Sequence, residues 1–280
     1  MTMMTRSRFS RFAVALGNEV RKGLLVAWSE RVQILLELPM FAAFILLIGP
    51  VLGRGQHGGV LVRWSLNSGT TSVLVFWFVP FMFFYMQNVK LFWRLLGEIQ
   101  SGTLEQVYLS PLPSWLTVAA ARAVAALAES VIVAAATYGI VSAFVPLHYH
   151  WTASALLPAA LLVLAVTGFS LVTAGMTLVW KRIQLVNDTV LVVVMIFSAA
   201  ALPLITVPAW FARLSRLFPV TAGVGGLYNS LLGHISATAL WGTGGLAWEL
   251  ATATAYLAAG IGAFRLFEHV ARTRGSLARY

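Results

Sequence analysis

The sequence predicts an all-α integral membrane protein that crosses the bilayer six times. Of its 280 residues, 59% are hydrophobic and only 10% are charged, whereas soluble domains are about 45–50% apolar and about 25% charged. Six hydrophobic runs are each long enough to cross a bilayer, which takes about 20 apolar residues in a helix. The lysines and arginines lie mostly on one side of these runs, which indicates a fixed orientation.

The N-terminal segment, residues 1–31, is predicted to form an amphipathic helix on the membrane surface. Its apolar residues recur at helical spacing, and arginines and a lysine form the polar face. Such a helix lies in the headgroup region of an anionic leaflet. Glycine and charged residues interrupt the apolar stretch, so a cleaved signal peptide is not expected.

Residues 32–268 are predicted to form one membrane domain, because no internal repeat or low-complexity linker divides them. The predicted spans are Val32–Leu52, Ser72–Val89, Trp115–Val145, Ala155–Val179, Leu185–Val207 and a last span within Ala239–Phe267. Residues 269–280 form a basic tail.

The distribution of basic residues predicts that both termini face the cytoplasm. With that orientation, fourteen of the nineteen lysines and arginines are cytoplasmic, four are outside, and Arg122 lies within the third span. The formal net charge of +10 is then explained by anchoring of cytoplasmic loops, and no nucleic-acid partner is expected.

A polar stretch, "GEIQSGTLEQVYLSPLP" at Gly97–Pro113, separates the second and third spans on the cytoplasmic side. Thr103 and Gln106 match a capping box, and Gly102 allows a sharp turn before them. Three apolar residues then share one helix face: Leu104, Val107 and Tyr108. Two prolines end the segment. These features predict a short, capped helix parallel to the membrane; the alternative is a well-formed turn with no partner.

Residues 208–236, between the fifth and sixth spans, are too polar and glycine-rich to span the membrane and too apolar for a solvated loop. We expect a pair of short helices that dip back into the outer leaflet, because irregular backbone at that depth must be covered by protein.

These motifs resemble those of type 2 ABC transporter permeases. In that family a segment similar to Gly97–Pro113 forms the coupling helix, which sits in a groove of the ATPase subunit. The run "LFPVTAGVGGLYNSLLG" at Leu217–Gly233 is similar to the family's Asn-Pro-Leu-Thr…Gly element, which forms re-entrant outer helices before the last span. Phe218 stands where asparagine is common, and "EIQS" where arginine or a further acidic residue often precedes the glycine.

The resemblance implies residue roles and partners. The coupling helix would cover about residues 98–112, and its ATPase contacts would be Glu98, Ser101, Gly102, Thr103, Leu104, Glu105, Val107 and Tyr108. The outer gate would include Phe218, Pro219 and Tyr228. The partners would be two ATPase subunits, a second permease copy or a paralogue, and membrane lipid, in a bacterial inner membrane.

No phosphate-loop motif of the form G-x-x-x-x-G-K-[ST] occurs in the chain. ATP and Mg²⁺ are therefore expected on a partner ATPase, with no cofactor bound directly and no enzymatic activity in this subunit. The absence of cysteine excludes disulfides, zinc–thiolate sites and cysteine nucleophiles.

Four charged residues lie within predicted spans, where ionisable groups usually face a partner or a water-filled cavity. They are Glu37, Arg122, Glu129 and Glu249. Arg122 and Glu129 are seven positions apart, about 10 Å along the helix axis, so they do not pair with each other. We hypothesise that Glu129 or Glu37 faces a central cavity of the dimer; the alternative is a structural bridge between helices or snorkelling to the interface. The candidate substrate path comprises Phe81, Phe84, Glu129 and Arg122.

The expected function is that of the permease subunit of an ATP-driven exporter for a hydrophobic or amphipathic small molecule, which is drug-like, antibiotic-like or lipid-like. An exporter of polysaccharide or lipid-linked glycan is an alternative. From other classes, a membrane-embedded lipid-modifying enzyme would need clustered intramembrane acids and histidines, and a channel or ion-coupled carrier would need no ATPase.

Overall fold

The structure is a computed structural model. It describes residues 8–29, 31–52, 68–108, 119–147, 149, 152–180, 183–198, 207–233 and 235–274. Within these ranges the chain forms eleven α-helices and one 3-10 turn, Ala153–Ala155, and no strand. The helices are α1 Arg8–Ser29, α2 Arg31–Leu52, α3 Ser68–Gln100, α4 Thr103–Tyr108, α5 Ala121–Phe144, α6 Leu156–Val179, α7 Gln184–Ser198, α8 Ala209–Ser215, α9 Pro219–Leu231, α10 Ala237–Gly242 and α11 Gly245–Thr273.

The all-α membrane fold is confirmed. Four described segments are long and apolar enough to cross a bilayer: Ser72–Gln100, Ala121–Phe144, Ala153–Val179 and Gly245–Thr273. The first and fifth predicted spans correspond to α2 and α7, whose described apolar stretches, Leu35–Leu46 and Gln184–Ser198, are shorter. A total of six crossings therefore stays a prediction.

Several predicted boundaries extend beyond what the structure describes. Residues 1–7 before α1, 115–118 of the third predicted span and 199–206 of the fifth lie outside the described residues. Helix α11 continues through Thr273, so the first part of the predicted basic tail is helical. Residues 275–280 of the tail lie outside the described ranges.

Helix α3 runs to Gln100, eleven residues beyond the predicted end of its span at Val89. Three apolar residues with helical spacing keep this extension packed: Leu91, Leu95 and Ile99 are all buried. The charged side chains that suggested a loop, Lys90 and Arg94, bind a carboxylate of α5 instead. Glu98, which the resemblance placed at the start of a coupling helix covering about residues 98–112, therefore lies within α3, and residues 109–112 of that range lie outside the described residues.

Helices α6 and α11 form the tightest pair in the bundle. A Cβ atom on Gly168 would overlap the Tyr256 carbonyl group, and a Cβ atom on Gly260 would overlap the carbonyl group of Gly168. Small residues at such crossings allow backbones in a membrane protein to approach closely. Hydrogen bonds hold α3 to α6 and to α7: Asn88 donates to Asn187 at 2.8 Å and accepts from Thr173 at 2.6 Å.

Helices α8 and α9 fall within the segment predicted to re-enter the membrane. The ring of Phe197 at the end of α7 is stacked between Phe211 of α8 and Phe218, with centroid separations of 4.7 and 4.6 Å. Helix α9 packs on α6, where a Cβ atom on Gly223 would meet Leu162. The aromatic stack and this close packing together hold α8 and α9 to the bundle.

Candidate functional site

The turn between α3 and α4 reverses the chain in two residues. The backbone N–H of Ser101 donates to the carbonyl of Gly97 at 2.9 Å, and that of Gly102 donates to Ile99 at 3.2 Å. Gly102 has φ = +72°, the left-handed conformation that costs other residues roughly 1–2 kcal/mol. A Cβ atom there would meet nothing within 4 Å, so glycine is needed for its backbone conformation and not for space.

Hydroxyl groups join the start of α4 to the end of α3. The Thr103 hydroxyl donates to the carbonyl of Glu98 at 3.4 Å and shares a hydrogen bond with the Ser101 hydroxyl at 2.9 Å. These contacts differ from those of the predicted capping box, and the side chains of Glu105 and Gln106 lie outside the described residues, so the capping box stays a prediction. The described contacts are sufficient to hold α4 against α3.

Leu104 anchors α4 in the protein interior. Its side chain is fully buried in a cluster with residues from four other helices. The buried members of this cluster are Leu91, Leu95, Ile99, Ala119, Ala123, Ala126, Leu171, Ala174, Leu178, Phe264 and Ala271. Val107 and Tyr108 pack against the cluster from the same face, as the helical spacing predicts. Leu104 therefore joins α4 to a cluster that also includes residues of α3, α5, α6 and α11.

Tyr108 connects the end of α4 to the end of α11. The guanidinium group of Arg272 lies 4.8 Å from the centroid of its ring, a cation–π contact, and Arg272 also binds Glu268 at 2.6 Å. Burial raises the pKa of the Tyr108 phenol above its ordinary value, and the nearby Glu268 carboxylate raises it further. The phenol is therefore neutral at physiological pH.

A second set of contacts beside α4 is ionic. Glu98 of α3 binds Lys22 of α1 at 3.1 Å and also binds Arg122 of α5. Arg94 lies one helical turn before Glu98 on α3, and it binds Glu129 of α5. Together these ion pairs join α1, α3 and α5.

Glu129 is held by two cations from α3. In addition to Arg94, Lys90 approaches its carboxylate at 3.1 Å. The Arg94 guanidinium also donates to the backbone carbonyl of Gly23 at 3.3 Å. As expected, Arg122 and Glu129 do not pair with each other, since each has its partner on α3. The charge pattern of the sequence assigned Lys22, Lys90 and Arg94 only to orientation, because partners 35 to 76 positions apart leave no local signal.

The four residues of the candidate substrate path do not form one group. Arg122 and Glu129 lie in the ionic network beside α4, whereas Phe81 and Phe84 belong to an apolar cluster with residues of α6, α7 and α9. Phe84 is fully buried, and its ring lies 5.3 Å from that of Phe169. Their predicted place on a substrate path stays a prediction.

The candidate gate residues lie at the opposite end of the bundle from α4. Phe218 precedes α9, Pro219 is its first residue, and Pro219 is buried. The ring of Tyr228 in α9 meets the ring of Phe76 edge-on, with centroids 6.0 Å apart. On the other side of Phe76 lies Tyr149, whose hydroxyl donates to the Ser72 carbonyl at 2.6 Å.

Glu249 of α11 lies close to the gate and was not among the predicted site residues. Its side chain is buried, and neither carboxylate oxygen has a hydrogen-bond partner within the described part of the chain. A Cβ atom on Gly226 of α9 would overlap this carboxylate and would lie 3.2 Å from Pro158 of α6. The sequence identified Glu249 as an acidic residue within a predicted span. It gave no indication that Glu249 contacts Gly226, which lies 23 positions away.

A protein family matches the chain over most of its length. No curated protein matches the chain. A family model described as ABC-2 type transporter matches residues 19–232, from within α1 to the end of α9. Members of this family are multi-pass membrane subunits that act with an ATPase subunit. Because the match covers most of the chain and includes α4, the protein belongs to the ABC-2 type transporter family and is the membrane subunit of an ABC transporter.

Proposed function

We propose that this chain is the permease subunit of an ATP-driven exporter that moves a hydrophobic or amphipathic compound out of the cytoplasm or the inner leaflet. Two permeases, either two copies of this chain or this chain with a paralogue, would act with two ATPase subunits. In this assignment α4 is the coupling helix, and the termini face the cytoplasm of a bacterial cell. The observation that carries the proposal is the burial of Leu104 among residues of α3, α5, α6 and α11.

The packing of α4 supports efficient transmission of movement. Closure of the ATPase subunits would displace α4, and protein interiors are too closely packed to absorb such a displacement locally. The turn at Gly102 is short and hydrogen-bonded, so it would not act as a loose hinge. The force would therefore reach the four helices that surround Leu104.

Helix α11 is suited to carry that force to the gate. It has 29 residues, which corresponds to about 44 Å at 1.5 Å per residue. Near its C-terminal end, Arg272 contacts Tyr108 of α4. Near its N-terminal end, Glu249 contacts α9, and the Trp248 indole donates to the Arg216 carbonyl at 3.2 Å. One rigid helix would thus connect the coupling site with the gate residues.

The ion pairs favour a bracing role for Arg122 and Glu129 over direct contact with substrate. Both side chains are almost fully buried, and both are bound by residues of α3. The aromatic residues of α3, of which Phe81 and Phe84 are the candidates, support an apolar or amphipathic substrate if part of that surface faces a second permease.

The proposal can be tested by co-expressing the chain with a phosphate-loop ATPase encoded beside it. Thr103 is exposed on α4, so Thr103→Arg should weaken co-purification of the ATPase by disturbing the docked surface. Ser142→Arg is the matched control, because Ser142 is exposed near the opposite end of α5. If the ATPase binds the Thr103→Arg variant and drives transport as it does with the wild type, the assignment of α4 as the coupling helix is wrong.

A further inference from the structure

A cavity lies between α1, α2, α3 and α5, beside α4. Its volume is about 730 Å³, which is large enough for a lipid headgroup with part of its glycerol backbone. Four basic side chains line it: Lys22, Lys90, Arg94 and Arg122. None of the roles discussed above explains why this space is open.

The balance of charge in the cavity favours an anionic ligand. Two carboxylates also line it, those of Glu37 and Glu98, and Glu129 lies behind the wall bound to Lys90 and Arg94. Glu98 is already held by Lys22 and Arg122. Among the described side chains of the cavity and its wall, four cations face three carboxylates, an excess of one positive charge within this group.

Arg94 makes its hydrogen bonds within the wall of the cavity. One terminal nitrogen, Nη2, binds Glu129 and the Gly23 carbonyl. The other, Nη1, has almost no exposed surface, so Arg94 gives the cavity positive charge but no free donor. Lys22 is the donor that a ligand can reach, since its ammonium has three N–H groups and is more than half exposed.

The remaining lining of the cavity is apolar. Val26, Met86, Val89 and Trp93 provide this surface, and Trp93 is partly exposed, as is common for tryptophan at a membrane interface. The helices that carry the mouth of the cavity also expose large apolar side chains, namely Leu24, Leu25 and Trp28 of α1 and Leu35, Leu36 and Met40 of α2. A ligand with a charged head and apolar chains fits both parts of this surface.

We propose that the cavity binds the phosphate of an anionic phospholipid headgroup, with Lys22 Nζ as the donor, positive charge from the neighbouring basic side chains, and the acyl chains along the exposed apolar faces of α1 and α2. Such a lipid would hold α1 against α3 and α5, next to the turn into α4. The assignment to the cytoplasmic leaflet rests on the orientation in the proposed function. The binding chemistry does not depend on it.

Native mass spectrometry of the purified chain, without any ATPase, tests the site. Phosphatidylglycerol should remain bound at concentrations at which phosphatidylcholine with the same acyl chains dissociates. Equal retention of the two lipids would overturn the proposal. Soluble glycerol 3-phosphate distinguishes a free anion from a lipid: if it displaces phosphatidylglycerol at equal concentration, the site is one for a soluble phosphate and the lipid assignment is wrong.

Variants of the cavity wall complete the test. Lys22→Gln should weaken phosphatidylglycerol binding roughly three- to tenfold, the usual effect of losing one charge-assisted contact. Arg21→Gln removes the same charge from the neighbouring exposed position of α1, which does not line the cavity, and should bind as the wild type does.

Gly97→Glu adds a carboxylate without removing any ion pair. Gly97 lines the cavity, and a Cβ atom there would meet nothing within 4 Å, so this variant should fold and also lose affinity for phosphatidylglycerol. Wild-type binding by folded Lys22→Gln and Gly97→Glu variants would refute the site. Because no ATPase is present, that result would leave the proposed transport function standing.

Discussion

The guanidinium group of Arg122 pairs with the carboxylate of Glu98, which joins the start of α5 to the end of α3 directly beside the turn into α4. Arg122 is 3% exposed, whereas Glu98 is 17% exposed and also receives Lys22. A buried charge that loses its partner is strongly destabilising, while a pair that is removed as a unit often costs little. The effect on stability of substituting Arg122 should therefore depend on whether Glu98 is present, and the reverse should also hold.

Glu98→Gln should lower the free energy of unfolding by roughly 1–3 kcal/mol, because it removes the carboxylate that pairs with the buried Arg122 guanidinium. The double variant Glu98→Gln/Arg122→Gln should recover part of that loss. Thermal unfolding of the four proteins in one detergent would measure the coupling. Additive effects of the two substitutions would show that the ion pair does not contribute to stability.

Leu104 is among the residues expected at the ATPase contact, but its side chain is fully buried, so changing it weakens the link between α4 and the bundle without altering the exposed surface of α4. Leu104→Ala removes a fully buried side chain and should cost about 2–5 kcal/mol, while Leu104→Met nearly conserves volume and should cost less than about 1.5 kcal/mol. We expect the Leu104→Ala permease to bind the ATPase but to transport less substrate for each ATP hydrolysed. Measuring co-purification and transport separately would check this. Equal coupling in both variants would contradict transmission through Leu104.

The Tyr108 hydroxyl is buried and has no hydrogen-bond partner among the described residues. Tyr108→Phe keeps the ring that contacts Arg272 and removes a polar group without a partner, so stability at neutral pH should be unchanged or slightly higher. The ATPase should bind and drive transport as with the wild type, because a buried hydroxyl is not part of the exposed surface of α4. A clear loss of stability would instead reveal a hydrogen bond within this chain.

The same substitution should change the dependence of stability on pH. The pKa of Tyr108 is raised in the folded state, first by burial and then by Glu268. Above a pH of about 10 the unfolded chain releases the phenol proton while the folded chain keeps it, so stability falls as pH rises. Denaturant unfolding of the wild type and of Tyr108→Phe between pH 8 and 11 should show a smaller decline in the variant. Parallel declines would contradict this assignment.

Features that depend on neighbouring residues could be predicted from the sequence. Composition alone indicated an all-α membrane protein, and Gly102 indicated the turn that the structure shows with φ = +72°. The helical spacing of Leu104, Val107 and Tyr108 indicated their shared face, because the residues concerned lie within two turns of one another. These sequence patterns involve residues close together in the chain, so they can be interpreted without knowledge of the tertiary structure.

Features that depend on distant contacts could not be predicted. Lys90 and Arg94 have the composition of a loop, and their place in α3 follows from Glu129, which lies 35 or more positions away. In the same way, the burial of Arg94 Nη1 follows from the packing of α1 and α5 around it. Charge patterning gives orientation in the membrane, but it does not identify which charges pair.

The contact between Gly226 and Glu249 gives the sharpest test of packing near the gate. A methyl group at position 226 would overlap the Glu249 carboxylate, so Gly226→Ala must push the carboxylate or α9 out of place. The neighbouring Gly225 lies in the same helix, and a Cβ atom there would meet nothing within 4 Å. Gly225→Ala should therefore be neutral or stabilising by up to about 1 kcal/mol through helix propensity.

We expect Gly226→Ala to lower the melting temperature, since overpacking typically costs about 1–3 kcal/mol. Shortening the acidic side chain should relieve the overlap, so Gly226→Ala/Glu249→Ala should be more stable than Gly226→Ala alone. Thermal unfolding of the three variants and Gly225→Ala would decide this. If Gly226→Ala and Gly225→Ala behaved alike, Glu249 would not be in contact with α9, and α11 would lose its connection to the gate at this point.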